Sequence, residues 1–215
     1  MADLRAIRAE LIGVVAAPHC LCCRSPLARS PAGPAICGRC LRQIELAPGF
    51  PLRADAIDGG FAPLAYEGVG RQLVAALKFM RLTAVAGLAA AVIAGRAPPA
   101  WLRATIVPVP AAPLRARVRG FDPAREIAAA LAGETGCAID PLLRRGDRSR
   151  QRGRGRRARI AAPPAVAASG PAPARVLLVD DVVTTGATLD ACARALRSAG
   201  ASDVRAVAVA AVPPR

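Results

Sequence analysis

The least interrupted hydrophobic signal in the chain is residues 176–179, Val-Leu-Leu-Val, with no polar position and no alternation. A run of that length and pattern predicts a strand buried on both faces, at the centre of a parallel sheet. Two acids, Asp180 and Asp181, come next, then Val182, Val183 and the turn Thr184-Thr185-Gly186-Ala187-Thr188. Helical spacing resumes at residues 188–199 and stops at Gly200. Further strands are expected at residues 61–66, 104–109 and 204–212. Helices are expected at 4–16, where Leu4, Ile7, Leu11, Ile12 and Val15 share a face, and at 71–95, with a break near Leu82 and Thr83. Another starts at Asp122, a good N-cap followed by proline at the first helical position, and runs through Leu131. The pattern is that of the α/β class. Residues 144–159, with nine arginines, three glycines and Ala158 as the one apolar residue, cannot pack and are expected to be a mobile loop. Residues 163–173 read as a linker of small residues.

Ligands of open α/β sheets bind beyond the carboxyl ends of the strands, which directs attention to residues 180–188. A turn at a helix N-terminus can aim successive backbone N–H groups into a concavity that suits phosphate, with the hydroxyls of Thr184, Thr185 and Thr188 as added donors. The paired acids suit something different, the vicinal hydroxyls of a sugar. Together they describe a ribose 5-phosphate cradle. A Walker A loop is excluded, because no Gly-Lys-Ser/Thr occurs. A phospho-acceptor aspartate domain places its acids near its start, whereas only about thirty residues follow here. Gly153-x-Gly155-x-x-Ala158 resembles a dinucleotide fingerprint, but no strand precedes it and arginines fill it.

The 215 residues suffice for one ordinary domain with a small appendage. Hydrophobic residues make up 53% and aromatics only 3%, so the core is built of small side chains. The net charge of +15 attracts polyanions, although a basic surface without a dedicated partner reads equally well. Lys78 is the one basic residue that is not arginine, which hints at a need for a compact point charge within its helix. The alternating Arg115, Arg117 and Arg119 follow the Val107-Pro108-Val109-Pro110 turn. They suit pyrophosphate or a charged surface loop. No apolar run reaches membrane-spanning length, so no membrane insertion is expected. Asp3 and Glu10 speak against a secretory leader, and a cytoplasmic location is expected.

Cys20-x-x-Cys23 and Cys37-x-x-Cys40 are separated by thirteen residues. Two such pairs each present two thiolates from a tight turn, and together they complete a tetrahedron around zinc. Four cysteines leave no open coordination position, so the metal is expected to be structural. Cys22 and His19 lie beside ligands and leave a swapped ligand open. Free or redox-active thiols are the other reading. Cys137 and Cys192 are isolated and read as buried fillers.

In these motifs and their order the chain resembles the ComF family of competence-associated proteins. The order is a cysteine ribbon, Val-Pro-Val-Pro, Arg-Gly-Phe-Asp, an Arg/Gln loop, then Asp-Asp-Val-Val-Thr-Thr-Gly. Residues 176–188 are similar to the phosphoribosyl-diphosphate (PRPP) motif of type I phosphoribosyltransferases. The resemblance implies a type I phosphoribosyltransferase-like, mainly parallel sheet flanked by helices, with a small N-terminal zinc ribbon of four cysteines. It divides the chain into a helix at 1–17, a ribbon at 18–48 and the transferase-like domain at 55–215, with a flexible loop at 144–160.

By that resemblance Asp180 and Asp181 contact ribose hydroxyls, and Thr184, Thr185, Gly186, Ala187 and Thr188 bind the 5-phosphate. Val182 and Val183 belong to the same motif. The segment Val107, Pro108, Val109 and Pro110 corresponds to the pyrophosphate loop, Lys78 to the lysine of the family's helix, and residues 148–159 to the flexible loop. Gln151 is kept there, but Arg156-Arg157-Ala158-Arg159-Ile160 lacks the family's asparagine. The implied chemistry is attack of a nucleophile on C1 of PRPP with loss of pyrophosphate, assisted by Mg2+. Implied partners are PRPP, single-stranded DNA on the arginine-rich surface, and a competence helicase or other DNA-uptake proteins. Two functions remain open: a PRPP-dependent transferase, or a non-catalytic DNA-binding adaptor that keeps the PRPP site. Few aromatics argue that any nucleic-acid contact is dominated by phosphate.

Overall fold

Val176, Leu177, Leu178 and Val179 are all fully buried, and their side chains alternate between two separate cores. That is what a strand with a covered sheet on both faces requires. The computed structural model describes residues 19–27, 36–79, 83–112, 120–146 and 165–213. In it β7 (Arg175–Val183) lies between two parallel neighbours, β8 (Asp203–Ala211) and β4 (Thr105–Pro108). Val176 is opposite Val204 on one side and Thr105 on the other. β8 also pairs in parallel with β2 (Gly59–Ala62) and β3 (Leu64–Ala65), and β1 (Phe50–Pro51) adds an antiparallel edge. The expected strand at 61–66 is thus two pieces either side of Pro63, which has no N–H to give a ladder.

Leu177 and Val179 face α2 (Gly68–Phe79), α3 (Thr83–Ala94) and α4 (Pro123–Thr135), packing with Leu73, Ile93, Ile127 and Leu131. Val176 and Leu178 face α5 (Ala187–Ser198), packing with Leu189, Cys192 and Leu196. The helical stretch at 71–95 holds two described helices, and residues 80–82 between them, where the break near Leu82 is expected, lie outside the described residues. Gly70 lets α2 settle on β3, since a Cβ there would collide with the Ala65 carbonyl oxygen. α4 is capped by Asp122 but runs to Thr135, four residues beyond the expected end, and closes on Gly136 at φ 71°.

Two expectations are corrected. Arg144 and Arg145, expected in a mobile loop, form β5 (Leu143–Arg145), and part of the expected linker forms β6 (Val166–Ala168). The two strands pair antiparallel. Their foot is pinned because Leu142 and Leu143 are buried in the α5-side core, while the Ser169 N–H and hydroxyl both donate to the Leu142 carbonyl. The rest of the arginine-rich segment, residues 147–164, lies outside the described residues, as does the helix expected at 4–16. Cys192 is a buried filler as expected, whereas Cys137 is half-buried and donates to the Leu102 carbonyl at 2.6 Å.

The cysteine segment joins the larger core directly. Cys20, Leu21, Cys22, Cys40 and Ile44 are buried in the same cluster as Leu73, Val74 and Leu77 of α2. Helix α1 (Gly38–Glu45) carries Cys40 and Ile44 into it. Arg96 fastens its C-terminal end, donating from Nη2 to the carbonyls of Glu45 (2.7 Å) and Ala47 (2.6 Å) and from Nη1 to that of Pro63 (3.0 Å). One guanidinium thereby satisfies carbonyls that a helix end leaves without partners. No helix of the described residues is long and apolar enough to cross a membrane.

Candidate functional site

The strand β7 runs four residues further than the apolar pattern alone, so Asp180 and Asp181 sit within its final stretch rather than beyond it. Consecutive strand residues point to opposite faces. Here the second acid reaches toward the α2 side: Asp181 Oδ2 lies 3.0 Å from Lys78 Nζ, with the side chains only 13% and 17% exposed. Lys78 stands in the last turn of α2. The lone lysine, a minor hint in the sequence, therefore meets the acid pair, and an ion pair so shielded is held much more firmly than a surface one.

Asp180 has no such partner at salt-bridge distance among the described residues. Its Oδ1 accepts the N–H of Asp181 at 2.8 Å. Burial, and next the charge of Asp181, push its carboxyl well above the usual carboxylate range. Two adjacent acids, of which only Asp181 is paired to a lysine, favour keeping a proton on Asp180.

Around this trio lies a cavity of about 200 Å³ at the carboxyl edge of the sheet. Lys78, Val109, Pro110, Asp180, Asp181, Val182, Thr184 and Thr188 line it, so eight of the sequence-predicted positions meet in one place. A smaller hollow of about 40 Å³ adjoins it, lined by Val183, Thr184, Thr185, Gly186, Ala187 and Thr188. That hollow sits at the N-terminus of α5, whose first N–H groups have no intrahelical partner. Gly186 is the N-cap, at φ 77°. The helix starts at Ala187, one residue earlier than expected, and the Ala187 N–H lies 3.5 Å from Thr185 Oγ1.

Not every expected position reaches the cavity. Val107 is fully buried in the α5-side core, and Pro108 is buried beneath a neighbouring cleft. Arg115, Arg117 and Arg119 lie outside the described residues. Conversely, Ala111, Ala112, Asp122 and Arg145 line the cavity. Of these, Asp122 and Arg145 carry charge and were not singled out for a site. Asp122 reads locally as a helix cap and Arg145 as one of a run of arginines, and each signal hid the other role.

Residues 53–56 pack against Gly186 and α5 beside the hollow. Asp190 of α5 accepts the Ala56 N–H at 2.9 Å, and Arg197 Nε donates to the Ala56 carbonyl at 2.8 Å. This draws the Arg53 carbonyl so close to Gly186 that a Cβ there would collide with it. A left-handed φ adds to the penalty for any side chain. Gly186→Ala is expected to destabilise the fold by about 2 kcal/mol or more and to distort the hollow. Chemical denaturation measures the first effect, and a wild-type midpoint would show the contact to be relaxed at no cost.

The thiols of Cys20, Cys23, Cys37 and Cys40 lie within 4.8 Å of one another, with Cys23 and Cys37 Sγ 3.6 Å apart. Four sulfurs around one zinc at ~2.3 Å would be spaced by about 3.8 Å, so the group fits a tetrahedral ion. A tight turn builds the first knuckle: the Cys20 N–H donates to the Ser25 carbonyl (2.8 Å), and Arg24 sits at φ 62°. Hydrogen bonding from Ser25 holds the Cys23 thiol down, at about 5, while burial pushes Cys40 up. Four adjacent sulfurs cannot all carry charge unaided, and a cation among them removes that conflict. Cys22 is buried outside the group, its thiol pushed up to about 12 by burial, and His19 is exposed in a bridge with Pro26.

No curated protein matches the chain. The family model described as phosphoribosyl transferase domain matches residues 116–215, which hold α4, the β5–β6 pair, β7 with its two acids, the Thr-rich turn, α5 and β8. Lys78 and residues 109–112 precede that stretch yet line the same cavity. The carboxyl-terminal part of this chain is similar to a phosphoribosyl transferase domain.

Proposed function

We propose that the chain binds PRPP with Mg2+ in this cavity and transfers its phosphoribosyl group to an acceptor. The observation that carries the reading is the convergence of the Asp180–Asp181 pair, Lys78 and the Thr-lined hollow on one carboxyl-edge cavity. The hollow takes the 5-phosphate on backbone N–H groups and threonine hydroxyls. Asp180 and Asp181 accept from the ribose hydroxyls, and their carboxylate charge favours the oxocarbenium character that develops at C1. Lys78 and Arg145 offset the charge of the departing pyrophosphate. The acceptor forms the new bond to C1 as the C1–O bond to pyrophosphate breaks, and the electron pair leaves with pyrophosphate.

Two adjacent hard carboxylate donors, only one of them paired to a lysine, fit a small divalent cation that keeps most of its waters and is held with substrate phosphates. Asp180 and Asp181 are the residues that would hold Mg2+, which would supply neutralisation of the substrate's negative charge. At the cysteine group, Zn2+ held by Cys20, Cys23, Cys37 and Cys40 is structural, because four thiolates fill its coordination. The proposed division is a ribbon at 18–48 and a transferase domain at 55–215.

Isothermal titration with Mg-PRPP tests binding, and release of pyrophosphate across a panel of acceptors tests turnover. Saturable binding with pyrophosphate release identifies a transferase; absence of binding removes the reading. Binding without release on any acceptor favours the adaptor reading, supported by the +15 charge and by the order of motifs shared with DNA-uptake proteins. In that case single-stranded DNA affinity should fall steeply with salt, by about 0.7 log units per log unit of salt for each phosphate neutralised. A nearly flat salt response would sink the DNA version.

A further inference from the structure

We infer that Asp122 is a positioning residue for the pyrophosphate end of the site, holding the turn at residues 109–112 in the shape that receives the leaving group. The inference rests on the transferase reading, and concerns a residue known so far only as a helix cap. Its carboxylate makes two bonds: Oδ1 accepts the Ala124 N–H at 3.1 Å, which caps α4, and Oδ2 accepts the Ala111 N–H at 3.2 Å. The second bond spans eleven residues and lands on the wall of the cavity.

Two features make that bond matter. Pro108 and Pro110 have no N–H, so between 108 and 111 only Val109 and Ala111 can fasten the turn by their backbone donors. Val109 is tied to the Val179 carbonyl at 2.9 Å, and Ala111 is tied to Asp122. Among the backbone ties of the described residues, losing the second leaves the turn held only where it leaves β4. In addition, Asp122 lines a cavity assigned to a polyanion, where a negative charge repels the ligand. Its place there makes sense if its oxygens serve the chain's own N–H groups and act on the ligand only through the turn.

The test separates capping from positioning. Asparagine caps a helix about as well as aspartate. Its one carbonyl oxygen can serve Ala124, but its amide nitrogen only donates and cannot accept from Ala111. Mg-pyrophosphate and ribose 5-phosphate are titrated separately into wild type, Asp122→Asn and Asp122→Ala, with melting temperatures alongside. Asp122→Asn should melt near wild type, bind Mg-pyrophosphate about tenfold more weakly, in keeping with loss of a hydrogen bond to a charged group, and hold ribose 5-phosphate within about twofold. Asp122→Ala should lose both melting temperature and pyrophosphate affinity; if it fails to fold, the asparagine variant decides alone. Unchanged pyrophosphate affinity in Asp122→Asn overturns the inference, and so does equal weakening of both probes. A wild type that binds neither probe fails the transferase reading, and the inference falls with it.

Discussion

Asp180→Asn should make the ligand-free protein more stable while removing about 99% of its affinity for Mg-PRPP, a ~100-fold loss of the size expected when a charged hydrogen-bond acceptor is deleted. The two signs share one cause. Burial and the neighbouring Asp181 raise the Asp180 carboxyl well above its ordinary value in the folded chain. A carboxyl raised on folding favours the folded state fully at pH below its unfolded value. That contribution is lost as pH rises toward the folded value, so at neutral pH the residue is a liability. Asparagine imitates the protonated form at every pH and removes the liability.

Ligand binding has the opposite demand, since ribose hydroxyls and Mg2+ require the ionised acid. Binding should therefore release a proton and tighten with rising pH across the range above ordinary carboxylates. Calorimetry in two buffers of different ionisation enthalpy reads the released proton, and thermal melting reads the stability. A destabilised Asp180→Asn that still binds PRPP would contradict both halves. Asp181→Asn should lose affinity too but behave differently in melting. It strands Lys78, at a cost of about 2 kcal/mol, below the ~3–5 of a fully buried pair because the lysine is 17% exposed.

On the zinc proposal, elemental analysis should find one ion per wild-type chain, and Cys37→Ser/Cys40→Ser should lack it and melt about 10 °C lower. That shift corresponds to roughly 4 kcal/mol in a chain of this size, a fraction of what structural zinc contributes to an isolated finger. The effect should reach beyond the ribbon. Cys20, Cys40 and Ile44 share a core with Leu73, Val74 and Leu77 of α2, and that helix carries Lys78 to Asp181. Loss of metal is therefore expected to weaken PRPP binding as well. Cys22→Ala is the control: its thiol lies outside the four-sulfur group, so zinc content should stay at one. A metal-free double variant with the wild-type melting temperature would remove the structural role.

What could be read from the sequence was whatever is local. A run of four apolar residues marks a strand covered on both faces wherever it sits in the chain. The two C-x-x-C turns likewise carry their geometry with them, as does Asp122-Pro123 as a helix start. Such patterns pointed to the class, to the four cysteines that cluster and to most of the cavity's positions in the stretch 180–188. The errors fell where a short element depends on a distant partner. β5 and β6 are three residues each, too short to announce themselves, and exist because each offers the other a ladder and Leu142 a place in the core.

The site itself divides the same way. The order of residues alone determined that two acids precede a threonine-rich turn at a strand end, because spacing along one strand–turn–helix unit leaves little freedom. Only the tertiary structure decided which acid holds a lysine. Lys78 is about a hundred residues from Asp181, and the pair forms because α2 is seated on β3 at Gly70 and against the cysteine segment. It decided, too, that Asp122 grips Ala111 as well as capping its own helix. A side chain's second hydrogen bond depends on where another segment passes, and that is set by the packing of the whole sheet.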